Sequence, residues 1–399
     1  MQNLIPHRFL LTIGLFLIGS LHTMIFAIFQ IPGNFLIGEQ NPELAFYCKI
    51  ILYVCAISVS FSHQLLCKKI GLRKTLYVGL LFNLFGTFAL WLNHTLHSNA
   101  IIILDMIFFG LALTSVINPL ITYLVLEFPK RIKPAITALF AFFNVGVMLA
   151  PLMIDVFKDV LSGLAVYPAL IALLVLGILF IHFFFFDPPY PAHLEHLRKG
   201  SIIWKELHYR LGLFVVAIIA YAMTETTFNL IGFIEIKNVL GDAVANETIS
   251  FFWLFMVVGQ IFLLFPLYYL PANRVFFFLI LLIITAQILL PYQTHVGGFI
   301  AALAIAGFGC SAIFPVLLSL MEKEIVPFAK GSHSLPYIET STSVMMAGYF
   351  IGVGMIDLWV EKMADYISVP VYFHLATAFI AITGLITILI MLTRRIQCK

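Results

Sequence analysis

Glu225 lies midway along an apolar run long enough to cross a bilayer, between Tyr221 and Asn229. The three residues recur at i, i+4 and i+8, so in a helix they share one face. An ionised carboxylate at the centre of the hydrocarbon costs about 2.5–3.5 kcal/mol on insertion scales. Such a group must therefore face protein or a wet cavity. A carboxyl held there can load and release a proton, and the flanking phenol and amide can hydrogen-bond a polar solute. The same stripe can instead tie helices together. Other polar residues interrupt other apolar runs. His22 offers an imidazole for proton transfer or solute contact, or a satisfied core histidine. Asn118 precedes Pro119, whose missing N–H frees a backbone carbonyl. Asn144 sits among Phe140, Phe142 and Phe143, which suits a polyol with an apolar face and hydroxyl edges. Ser311 follows Cys310 and precedes Pro315. Asp105 falls a turn or two inside the end of its run, where an outer-gate role competes with snorkelling to the interface.

The elements that must carry these groups follow from composition. The chain has 399 residues, of which 62% are hydrophobic and 10% charged, more apolar surface than a water-soluble domain can bury. Twelve apolar runs span roughly 8–31, 44–66, 75–93, 99–126, 135–157, 167–187, 210–235, 250–270, 275–292, 297–321, 335–360 and 369–393. Each approaches the ~20 residues a transmembrane helix needs. The runs are too long and too uniformly apolar for barrel strands, so the expected fold is all-α and membrane-integral. Eighteen of the 22 Lys and Arg lie in alternate connections, against three in the others (Lys158, Lys237, Lys362) and Lys49 within a run. Retained cations mark the cytoplasmic side, which places both termini there and predicts a multi-pass protein of the cell membrane.

The longest polar connection, 188–209, divides six runs from six. It predicts an N-terminal bundle over 1–187 and a C-terminal bundle over 210–399. His193 and His196 in that connection offer only two metal ligands, so it reads as a solvated linker, and no metal or other cofactor is expected. The net charge of +3 reflects topology, without the basic stripe of a nucleic-acid binder. Five cysteines show no framework spacing. Asn93-His94-Thr95 and Asn246-Glu247-Thr248 match glycosylation acceptor triplets, which chance explains. No nucleotide-binding loop, metal cluster or catalytic triad context is present, so the chain reads as a non-enzyme. Any uphill transport would then draw on an ion gradient.

Several segments resemble the fucose–glucose–galactose proton symporter family of the major facilitator superfamily. They are Lys68-Lys69-Ile70-Gly71-Leu72-Arg73-Lys74 with Gly79, Asn118-Pro119, Phe143-Asn144-x-Gly146, Tyr221-Ala222-Met223-Thr224-Glu225, Trp253 with Gly259, and Ser311-Ala312-Ile313-Phe314-Pro315. The resemblance implies twelve helices in two six-helix bundles, with spans one, four, seven and ten lining a central site. It also shows departures. No acid precedes Glu39, and the polar residue of span one is His22. The family acid before the span-four Asn-Pro falls on Thr114, the span-five glutamine on Ala141, and the span-eight arginine on Gln260.

The expectation is a monomeric secondary transporter of a small polar solute, sugar or polyol-like, taken up with protons by alternating access. Glu225 and His22 are the expected proton-coupling groups. Asn118, Asn144, Tyr221, Asn229, Thr114 and Ser311 are the expected solute contacts. Two other readings stand beside it: an exporter of amphipathic compounds on the same fold, and a receptor or scaffold that transports nothing.

Overall fold

The computed structural model describes residues 4–30, 42–128, 131–157, 165–185, 201–325, 334–363 and 366–397. Among them, thirteen α-helices follow in chain order: α1 (Leu4–Gln30), α2 (Pro42–Ile70), α3 (Leu72–Leu96), α4 (Asn99–Glu127), α5 (Ile132–Phe157), α6 (Val166–Phe184), α7 (Ser201–Leu240), α8 (Asp242–Tyr269), α9 (Ala272–Leu289), α10 (Val296–Cys310), α11 (Ile313–Ile325), α12 (Ser334–Met363) and α13 (Val369–Gln397). Twelve stretches among the described residues are long and apolar enough to cross a membrane, with α10 and α11 forming one of them. Helices are the form that lipid demands, because each satisfies its own backbone polar groups.

Local chemistry sets the joints. Between α2 and α3 the chain reverses at Gly71, whose φ of 86° suits a residue without a Cβ. Gly71 N–H donates to the Cys67 carbonyl, and the Thr75 hydroxyl donates to the Gly71 carbonyl at 2.8 Å. Lys68 and Lys69 fill the last turn of α2, where cations meet the negative helix end. Arg73 donates from its guanidinium to the His182 carbonyl near the end of α6. The α10–α11 break falls at Ser311-Ala312, four residues before Pro315, which has no N–H to give the Ser311 carbonyl. The helix starting at Ser201 takes in the second half of the polar connection expected over 188–209. His193 and His196 lie outside the described residues.

The chain divides into two compact units, Met1–Glu127 with Leu139–Tyr190, and Phe128–Ala138 with Pro191–Lys399. In the first, small residues set the helix spacing. A Cβ on Gly110 would lie 2.5 Å from the Leu52 carbonyl of α2, and one on Gly146 would lie 2.0 Å from the Ser20 carbonyl of α1. The Phe143-Asn144-x-Gly146 motif therefore joins α5 to α1: the Thr23 hydroxyl donates to the Phe143 carbonyl at 2.6 Å. Gly79 of α3 meets α4 at Ser115, the residue whose carbonyl Pro119 leaves without its helical donor. In the second unit, Gly307 faces the Phe252 carbonyl of α8. Gly352 lies against the Ile219 carbonyl of α7, so the Gly348-x-x-x-Gly352 face packs on that helix. Segment 128–138 belongs to this unit, with Arg131 5.5 Å from the centre of the Tyr268 ring.

Candidate functional site

Glu225 sits on α7, buried, with its polar neighbours supplied by α7 itself and by α12. The Tyr349 hydroxyl of α12 donates to Glu225 Oε1 at 3.0 Å. Tyr221, one turn earlier on α7, is in hydrogen-bonding contact with the same carboxyl. The Tyr221 hydroxyl donates at 2.9 Å to the Cys310 carbonyl, at the end of α10 beside the break. The broken span and the carboxylate are thus linked through one phenol. A phenol has a single hydrogen. With that hydrogen given to Cys310, the Tyr221 oxygen is left only as an acceptor toward Glu225. One turn beyond, Asn229 Oδ1 accepts from the Trp253 indole of α8 at 3.2 Å. The polar residues of α7 thus find partners on α8, α10 and α12.

Ser311 takes a different part. Its hydroxyl donates to the Phe308 carbonyl at 2.6 Å, and its Cβ packs where Gly259 of α8 has no side chain. Its hydrogen closes the last turn of α10, and its oxygen remains able to accept.

The first unit carries its own buried polar groups. His22 Nδ1 lies 2.7 Å from the Asn83 amide nitrogen of α3, and both residues are 1% exposed. The amide donates, which leaves the ring's own proton on Nε2. That nitrogen has no hydrogen-bond partner. Thr114 donates to the Ala56 carbonyl at 2.9 Å, tying α4 to α2. One turn on, the Asn118 amide reaches the Ser60 hydroxyl at 3.4 Å, while its Oδ1 has no partner. Asn144 is 7% exposed on α5. Asp105 is 1% exposed, so its carboxyl does not snorkel out as its position near the run's end suggests. Its helix packs against α2 and α3. Asn93 of the first acceptor triplet is buried and accepts from the Ser98 N–H, so it caps a turn and is closed to a glycan. Among the described residues no group of three or more His, Cys, Asp or Glu is placed to hold a metal.

Two partners escape sequence reasoning. Tyr349 is one of 15 tyrosines and carries no distinguishing signal. Asn83 was legible as a lone amide within an apolar run, the same signal that singles out Asn118 and Asn144.

The sequence profile of the Major Facilitator Superfamily matches residues 11–334, and the chain belongs to that family. It is a transporter-fold membrane protein and not an enzyme. Among solved structures it is similar to the fucose:proton symporter FucP of E. coli, with TM-score 0.75, 14% identity, and 96% of this chain and 97% of that chain covered. A second structure, of FucP in the outward conformation, matches with TM-score 0.76 and 14% identity over 97% of this chain and 98% of that one. At such identity the likeness concerns the fold. A search of curated protein sequences finds no match.

Proposed function

We propose that the chain is a secondary active transporter that takes up a small polar solute of sugar or polyol type with protons, by alternating access. The observation that carries this reading is Glu225, a buried carboxyl within a membrane-spanning helix whose partners are two phenols rather than a cation. Phenols can accept from a protonated carboxyl and donate to an ionised one, so the site tolerates both states. A cation would hold the carboxyl ionised. One of the similar solved structures is of a fucose:proton symporter, which agrees in cargo class and coupling ion.

Asn229 with Trp253 pairs an amide with an aromatic face, the combination that recognises a sugar ring. Taken by itself, the first unit offers Asn118 Oδ1, Asn144 and the His22–Asn83 pair as polar groups for a solute. In this reading Tyr221 orients Glu225, Thr114 holds α4 to α2, and Ser311 shapes the end of α10. The cation distribution supports an orientation with both termini in the cytoplasm, and in this reading the protein is a monomer of the cell membrane.

Uptake by proteoliposomes of labelled sugars and polyols, with an acid-outside gradient imposed, tests the proposal. The expected result is accumulation above equilibrium in the native chain. In Glu225→Gln, exchange persists and gradient-driven accumulation is lost. Unchanged accumulation in that variant removes Glu225 from coupling. Movement of amphipathic dyes but no polyol would replace the reading with that of an exporter.

A further inference from the structure

Asp105 has no place in the function proposed above, yet it is a carboxyl buried within a membrane-spanning helix. It lies in the first turns of α4, at the end of the first unit where α3 finishes and α6 begins. Its Oδ1 has no hydrogen-bond partner. A buried, unsatisfied charged oxygen is expensive, and a proton is the simplest neutraliser.

The surroundings supply a path for one. The turn between α3 and α4 exposes His97. Half-buried His94, three residues earlier, is in electrostatic range of it. His94 Nε2 lies 2.7 Å from the Tyr167 hydroxyl of α6, and the two rings lie tilted at 45° with centroids 5.1 Å apart. Tyr167 is buried and in electrostatic range of the Asp105 carboxyl, as is Cys48 of α2. Burial thus deepens stepwise, from an exposed imidazole through a shared hydrogen bond to an enclosed acid. The helices packed against α4 carry further titratable groups: Glu43, Tyr47, Lys49, Tyr53, Cys55, His63, Cys67, Lys68 and Lys69 on α2, Arg73, Lys74 and Tyr77 on α3, and His22 on α1, held by Asn83. Of these Lys49, half-buried, is one position after Cys48.

We propose that Asp105 is a second proton-binding site, loaded from the side opposite the termini through His94 and Tyr167. In the loading step an imidazolium at His94 gives its Nε2 proton to the Tyr167 oxygen. Tyr167 releases its own hydroxyl proton toward Asp105, and the carboxylate becomes a carboxylic acid. His94 ends neutral and Tyr167 unchanged. No hydrogen bond joins Tyr167 to Oδ1 in this state, and the last transfer requires a rearrangement of the carboxyl or a bridging water. The physiological use of the site rests on the proton-coupled reading, but its existence does not.

Infrared difference spectroscopy of the full-length protein in liposomes, stepped in pH, reads the carboxyl directly. A titrating carboxylic acid carbonyl band is expected in the native chain and in Glu225→Gln, and its loss is expected in Asp105→Asn. Should that variant fail to fold, Asp105→Glu keeps the acid and displaces its band. Tyr167→Phe keeps the ring, removes the hydroxyl, and is expected to slow the appearance of the band after a jump to acid pH. An Asp105→Asn spectrum that keeps every titrating carbonyl, or an Asp105→Glu spectrum with none displaced, overturns the site. Equal protonation rates with and without the Tyr167 hydroxyl overturn the path. Loss of the band on adding sodium at constant pH would assign the carboxyl to a metal cation and also overturn the proposal. Proton-driven uptake failing while the Asp105 band titrates would reject the transport reading alone.

Discussion

Glu225 has two phenolic partners, and they differ in what else they hold. Tyr349 donates to the carboxyl, whereas Tyr221 gives its hydrogen to the Cys310 carbonyl. Tyr349→Phe removes one hydrogen bond to the carboxyl and leaves the helix contacts. Measured as the pH dependence of uptake, it is expected to displace the midpoint while transport persists. Tyr221→Phe strips the Cys310 carbonyl as well, a loss of about 1–3 kcal/mol that should appear as a lower thermal unfolding temperature in detergent. In the first unit, His22 and Asn83 form a closed pair. Their single alanine variants and the double variant should be non-additive by about 0.5–3 kcal/mol in unfolding measurements, as expected for groups in contact. Glu225 was legible because an acid amid aliphatic residues stands out whatever its surroundings. Its partners were not, since hydroxyl direction depends on how neighbouring helices are rotated.

At the scale of helices, close approach is set by missing side chains. Gly146 admits the Ser20 carbonyl at a distance no Cβ tolerates, and Gly352 does the same for Ile219. Gly146→Ala or Gly352→Ala forces α1 from α5 or α7 from α12, an overpacking cost of about 1–3 kcal/mol or more. Gly212 of α7 offers the contrast, since a Cβ there would meet nothing within 4 Å. Gly212→Ala should leave stability unchanged or raise it by up to about 1 kcal/mol through helix propensity. Thermal unfolding of the three variants side by side decides the matter. Pro119 and Pro315 mark helix defects in the sequence, but their outcomes differ. The helix continues through Pro119 with Gly79 packed at the weakened turn, and it breaks before Pro315. Neighbouring packing decides between a tolerated proline and a break.

For the whole molecule, the distribution of Lys and Arg makes a prediction that composition alone supports. A reporter enzyme active only outside the cytoplasm should work when fused within the turn at 293–295 and fail when fused at 270–271 or at the C-terminus. The reverse pattern would invert the molecule and place the His97 end of the proposed relay on the wrong side. Cation counting sees this because insertion acts on loops, without reference to how helices pack.

The number of membrane spans, their order and the residues that break their apolarity were all present in the sequence, because lipid forces long apolar helices and penalises each polar intruder separately. Which face of each helix meets protein was not. In α6, Leu170, Leu174, Ile178 and Ile181 are buried while Leu173, Leu176, Leu179 and Phe183 are exposed. A helix apolar on every side offers no periodic contrast between lipid and core. Tertiary packing therefore decided that Tyr349 reaches Glu225, that Asn83 reaches His22, and that Asp105 is enclosed rather than lifted to the interface. In water the solvent sorts polar faces from apolar ones. In a bilayer that sorting is lost, and shape and hydrogen bonding between helices take its place.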